Sequence, residues 1–145
     1  MRSKRMQPVA HHAETIEQKA VQVFARAQQD LVDMENQLQQ LLSYREEYAR
    51  QLSGQGMNIQ RMRDYQAFLQ KITVTIDQAH VEIEKRTQIV EQKKNAWLKC
   101  RGRSKALNMV VEKYIHEEYQ QQERREQKEQ DEHGARLAGR QKSED

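Results

Sequence analysis

The chain has 145 residues, 36% of them hydrophobic and 32% charged, with one Pro, one Cys, one Trp and two Phe. So little apolar surface excludes a thick layered core and favours helices that each bury a narrow stripe. The formal net charge of +3 is mild and does not by itself imply nucleic acid; the lone Cys100 excludes an internal disulfide and fits a reducing cytoplasm; and no apolar run nears the roughly 18 residues of a membrane span.

Residues 1–7 read as an N-terminal arm, because Pro8 suits the first turn of a helix, where a missing N–H costs nothing. A first helix follows over 8–52. Its apolar residues alternate spacings of three and four through Phe24, Ala27, Leu31, Met34, Leu38, Leu41, Tyr48 and Leu52, with Arg45 interrupting. Upstream, Ala13, Ile16 and Ala20 continue the stripe with one extra residue before Phe24, which reads as a stutter.

A turn over 53–57 breaks the pattern. Gly54 can end the helix in a left-handed conformation, and Asn58 can cap the next one. The second helix, 58–132, keeps one heptad frame through Met62, Tyr65, Leu69, Ile72, Ile76, Ala79, Ile83, Val90, Trp97, Leu107, Val111 and Tyr114. Arg86, Lys93, Cys100 and Ser104 share that frame and weaken it. Such sustained heptads predict a coiled coil. From 133 to 145 the glycines and polar residues read as a disordered tail.

Two heptad helices joined by a short Gly turn fold back on each other. A parallel dimer would instead run one helix through Gly54 and Gly56, at about 1 kcal/mol each relative to Ala. The expected fold is therefore an all-α antiparallel two-helix coiled-coil hairpin, monomeric. If Leu52 faces Met57, Val9 faces Cys100. The second helix then overhangs beyond about 101, leaving Leu107, Val110, Val111, Tyr114 and Ile115 without a partner.

No motif carries catalysis. There is no Gly-rich phosphate loop, no nucleophile elbow, and no His and Asp arrangement that would activate a Ser or Thr. Glu112 and His116 share a helix face, as a helix pair rather than a metal site. No cofactor, metal or small-molecule ligand is implied.

Two surfaces stand out. From Lys85 to Lys105 eight basic residues accompany one acid, Glu91. This collar suits an acidic protein surface, with nucleic acid as the alternative. Near the turn, Leu42, Tyr44, Phe68 and Val74 flank the seam beside Tyr48 and Ile72, an apolar and aromatic patch on a charged protein.

The run from Gln37 through Leu38, Leu41, Leu42, Tyr44, Arg45 and Glu47 to Tyr48, the Gly turn, then Asp64, Tyr65, Gln66, Ala67, Phe68 and Leu69, with Trp97 in a basic helix, resembles the FliJ family of the bacterial flagellar type III export apparatus. The resemblance spans about residues 6 to 130. It implies a coiled coil similar to the central stalk of rotary ATPases, active in flagellum biogenesis, protein export, motility and chemotaxis. Its implied partners are the hexameric export ATPase, the cytoplasmic domain of the transmembrane export gate, and export chaperones that it escorts. The implied location is cytoplasmic, peripheral at the inner membrane through the export apparatus. Carried over by position, the gate surface comprises Gln37, Leu41, Tyr44, Tyr48, Phe68, Ile72 and Ala79, with Thr75 at its edge. The collar residues Lys93, Lys94, Lys99, Arg101, Arg103 and Lys105 become the ATPase dock. Stalk proteins of virulence injectisomes are the neighbouring alternative, and a generic scaffold hairpin the plainest one.

Overall fold

The computed structural model describes residues 1–54, 56 and 58–144. They form two helices, α1 (Arg2–Ser53) and α2 (Ile59–Glu144), and no strand among the described residues. The fold is the all-α antiparallel hairpin. The helices pack against each other in two compact units, residues 18–99 and residues 1–17 with 100–145.

Heptad spacing, more than hydrophobicity, decides which side chains face inward. Along α1 the buried or half-buried frame is Ser3, Met6, Ala10, Ala13, Glu17, Ala20, Phe24, Ala27, Leu31, Met34, Leu38, Leu41, Arg45, Tyr48 and Leu52. It alternates three and four without a break, so the expected stutter is absent. Ile16 is 41% exposed, and the frame passes through Glu17 beside it. Along α2 the frame runs from Tyr65 to Glu118. Arg86 and Cys100 are half-buried and Ser104 is buried, whereas Lys93 and Met62 are exposed.

The core of the 18–99 unit is Leu38, Ile72, Ile76 and Ala79, with Met34, Leu41, Leu42, Phe68 and Ile83 packed around it. Burial of this kind contributes about 25 cal/mol per Å² of apolar surface. Truncation of Ile76, which is 5% exposed, removes that surface and leaves a void. Ile76→Ala is expected to lower unfolding free energy by about 2–4 kcal/mol, as read from denaturant titration followed by helicity.

The turn follows its expected chemistry only in part. Asn58 Oδ1 accepts the backbone N–H of Arg61 at 2.8 Å, the geometry of an N-cap. Gly54 does not adopt a left-handed conformation, since no described glycine has a positive φ. Near the end of α1 the Ser53 hydroxyl donates to the Arg50 carbonyl at 2.9 Å. Met57, and with it the expected pairing to Leu52, lies outside the described residues, as does Gln55.

α1 starts at Arg2, with Pro8 inside it, rather than at Pro8. Its first turn contains no acidic residue, and α2 supplies the missing cap. The Ser3 backbone N–H and hydroxyl donate to the two Glu118 carboxylate oxygens at 3.1 and 2.6 Å. An N–H of the first turn that lacks an intrahelical partner thus gains one.

This clasp also corrects the register. Val9 was expected opposite Cys100, yet Glu14 accepts a bond from Asn108 and Ser3 meets Glu118. The open end is displaced by roughly three helical turns from expectation. The displacement is already under way near the turn, where Tyr48 meets Tyr65 and Phe68, and persists where Phe24 meets Trp97.

The overhang expected beyond 101 therefore begins only after Glu118. Val111 is buried, and Leu107, Val110 and Tyr114 are half-buried. The Arg2 guanidinium lies 5.8 Å from the centre of the Tyr114 ring. Small residues, Ser3, Ala10, Ala13 and Ser104, make up much of this unit's buried set. The tail expected to be disordered is helical through Glu144, with exposed side chains wherever these are described. Ala135, Arg136, Leu137 and Ala138 are strong helix formers that continue α2 without tertiary support.

The Ser3 hydroxyl, then its backbone N–H, hold the Glu118 carboxyl below its ordinary value of 4.5; partial desolvation opposes them, and the chain's N-terminal charge and Lys4 reinforce them. A carboxylate with a depressed folded pKa stabilises the fold above its unfolded pKa, and that contribution is lost as pH falls through the folded value. Amide exchange at Ser3 is therefore expected to accelerate below the ordinary carboxylate range, after correction for intrinsic rates. Glu118→Gln should abolish this acid step.

Candidate partner-docking surfaces

The tip of the 18–99 unit is built on aromatic contacts between the helices. Tyr44 meets Phe68 edge-on at 5.4 Å, Tyr48 lies 4.1 Å from Phe68, and Tyr48 stacks on Tyr65 at 5.9 Å. Two heptad helices have one seam, so rings flanking it remain partly in solvent. Tyr44 is 55% exposed.

Beside these rings runs a groove of about 600 Å³ lined by Met34, Gln37, Gln40, Leu41, Tyr44, Thr75, Gln78, Ala79 and Glu82. Its walls are uncharged except for Glu82. Apolar side chains and Ala79 alternate with amides that can donate and accept hydrogen bonds. Such a surface can seat a partner side chain and fix its orientation by amide contacts.

Most of the residues inferred for gate binding converge here. Gln37, Leu41, Tyr44 and Ala79 line the groove, with Thr75 at its wall. Phe68 abuts Tyr44. Tyr48 is half-buried beneath these rings and touches both Phe68 and Tyr65. Ile72, 5% exposed, belongs to the core and supports the groove from below. Met34, Gln40, Gln78 and Glu82 were not among the residues expected for the gate surface. Spacing held the signal for three of these: Gln40 follows Gln37 by three, Gln78 follows Thr75 by three, and Glu82 follows Thr75 by seven.

The basic collar divides between the two units. In residues 18–99, Lys85, Lys93, Lys94 and Lys99 are exposed, and the other helix adds exposed Lys19 and Arg26. Arg86 is spent internally. It pairs with Glu82 at 3.1 Å and donates to the Asp30 carbonyl at 2.6 Å. In the other unit Arg101, Arg103 and Lys105 are exposed, and the Glu14 carboxylate is engaged by Asn108. Trp97 stacks on Phe24 at 5.7 Å with an interplanar angle of 8°, which occupies one face of the indole that a nucleic-acid base would use.

Elsewhere the chemistry is sparse. His116 meets Gln120 at 3.2 Å. Among the described residues no three His, Cys, Asp or Glu side chains converge into a metal cluster, and no helix is long and apolar enough to cross a membrane. The family model described as the flagellar FliJ protein matches residues 2–143, nearly the whole chain. No curated protein and no solved structure matches it.

Proposed function

Because the chain belongs to the FliJ family and so has a role related to flagellar export, we propose that it is the non-catalytic coupling stalk of the export apparatus. It grips the cytoplasmic domain of the export gate with the tip groove. It docks into the export ATPase ring through the basic collar and promotes ring assembly. It escorts emptied export chaperones, and it works at the cytoplasmic face of the inner membrane, held there by its partners. The observation that carries this reading is the convergence of Gln37, Leu41, Tyr44 and Ala79 on one groove beside the Tyr44 and Phe68 rings.

A coupling protein of this kind must hold two partners at once. Sites at different levels of the hairpin allow that, because neither occupant covers the other's contacts. The test is reconstitution with purified gate domain and export ATPase. The chain should bind each, raise ATP hydrolysis by the ATPase, and bridge the two in one complex. A chain that binds only one partner, or that binds the two competitively, would refute the coupling role.

A further inference from the structure

The seam of the 18–99 unit has two unlike edges. Like flanking positions meet across the hairpin: Tyr44 and Phe68 each precede a seam residue by one. Stepping by sevens from them toward the open end gives Gln37, Asp30 and Val23 on α1, and Thr75, Glu82, Ile89 and Ala96 on α2. The first part of this edge is the groove. The second part is apolar and open. Val23 is 47% exposed and Ile89 44%, Ala96 is exposed, and the half-buried stack of Phe24 on Trp97 lies next to them.

Both borders of that strip are basic. Lys19 and Arg26 lie one turn either side of Val23 on α1; Lys85 precedes Ile89 by four and Lys99 follows Ala96 by three on α2; all four are exposed. Asp30 marks the strip's end toward the groove. Glu91, the acid of this stretch of α2, sits about 200° round the helix from Ile89. The opposite edge at this level carries Gln28, Thr87 and Lys94, with Val21 half-buried, so the apolar character belongs to one side.

We propose that this edge docks an amphipathic helix of a partner protein that carries acidic residues on both flanks of its apolar stripe. An apolar strip invites a helix laid along it, read through anchors one turn apart. Cations on both borders select the flanking charge of the guest and repel basic alternatives. The strip runs for about three helical turns, roughly 17 Å, from Lys19 to Asp30. It uses neither Tyr44 nor the groove, so it stands apart from gate binding, whereas Lys85 and Lys99 belong also to the basic collar, so the guest helix and the ATPase share those two cations.

Trp97 is the chain's one tryptophan and reports on the strip directly. The test titrates the full chain with a synthetic amphipathic peptide of about 18 residues, long enough to be helical, bearing Leu at helical spacing and Glu on both flanks. A matched peptide carries Lys in place of Glu. The acidic peptide should shift Trp97 emission saturably and bind at least about tenfold more tightly than the basic one, with the gap closing at high salt. The double variants Val23→Gln with Ile89→Gln, and Lys19→Glu with Lys85→Glu, should each weaken it about tenfold while helicity stays unchanged. The proposal is overturned if neither peptide binds, if both bind alike, or if the variants bind normally. It is also overturned if Trp97 emission changes with the chain's own concentration, which would make a second copy the occupant.

Discussion

Tyr44→Ala is expected to weaken binding to the cytoplasmic domain of the export gate by about thirtyfold, with little change in the stability of the hairpin. Aromatic anchors at interfaces often cost about 2 kcal/mol on truncation, and about 1.4 kcal/mol is a factor of ten. Tyr44 is 55% exposed and lies outside the core, so the fold loses little more than one edge contact with Phe68. Phe68→Ala should weaken binding too, but it also removes a ring packed against the core cluster, and part of its effect is lost stability. Tyr48→Ala is the least informative, because Tyr48 touches both Tyr65 and Phe68. The Tyr44 and Phe68 effects should combine to less than their sum, since the rings touch and share an environment. Titration calorimetry or surface binding, beside helicity and denaturant midpoints, separates affinity from fold. Normal gate binding by Tyr44→Ala would leave the tip aromatics with a structural role only.

The tip was legible in the sequence because it follows the rules of local spacing. Heptads fixed the helices, Gly54 and Gly56 fixed the region of reversal, and Asn58 announced its own cap. The open end was not legible, and two residue choices explain why. Following apolar character leads from Ala13 to Ile16, whereas the packed frame takes Glu17, a residue that hydrophobic patterning skips. The start of α1 depends on Glu118, a partner far away in the chain, so no window around Pro8 contains the signal. Register failed for a third reason. Nothing near the turn sets which residues pair, so a displacement there carries along both helices to the open end. The groove sits between these cases. Its chemistry was readable in Gln37, Leu41 and Tyr44, but separating Ile72 beneath the surface from Gln78 upon it needed the packed pair.

Reversal of Lys93, Lys94, Arg101 and Arg103 to Glu is expected to abolish measurable docking to the export ATPase at moderate salt while leaving gate binding intact. Each reversal exchanges a positive for a negative charge, a change of two units, so the four take the formal net charge from +3 to about −5. All four side chains are exposed, so the helices should persist, as circular dichroism would verify. The middle of the collar is what points to an external acidic partner. At the level of the stacked Phe24 and Trp97, α1 contributes Lys19 and Arg26 rather than compensating acids. Like charges across a helix pair cost free energy, and an acidic partner that supplies the complement relieves that cost. Docking by the unaltered chain should weaken as salt shortens the Debye length below about 10 Å, and the loss should appear largely in the association rate. ATP hydrolysis in the presence of the reversed chain should fall to the level of the ATPase alone. A parallel titration with single-stranded and duplex nucleic acid decides between the two readings of the collar. Full ATPase stimulation by the reversed chain, together with loss of nucleic-acid binding, would assign the collar to phosphates and remove it from the ATPase interface.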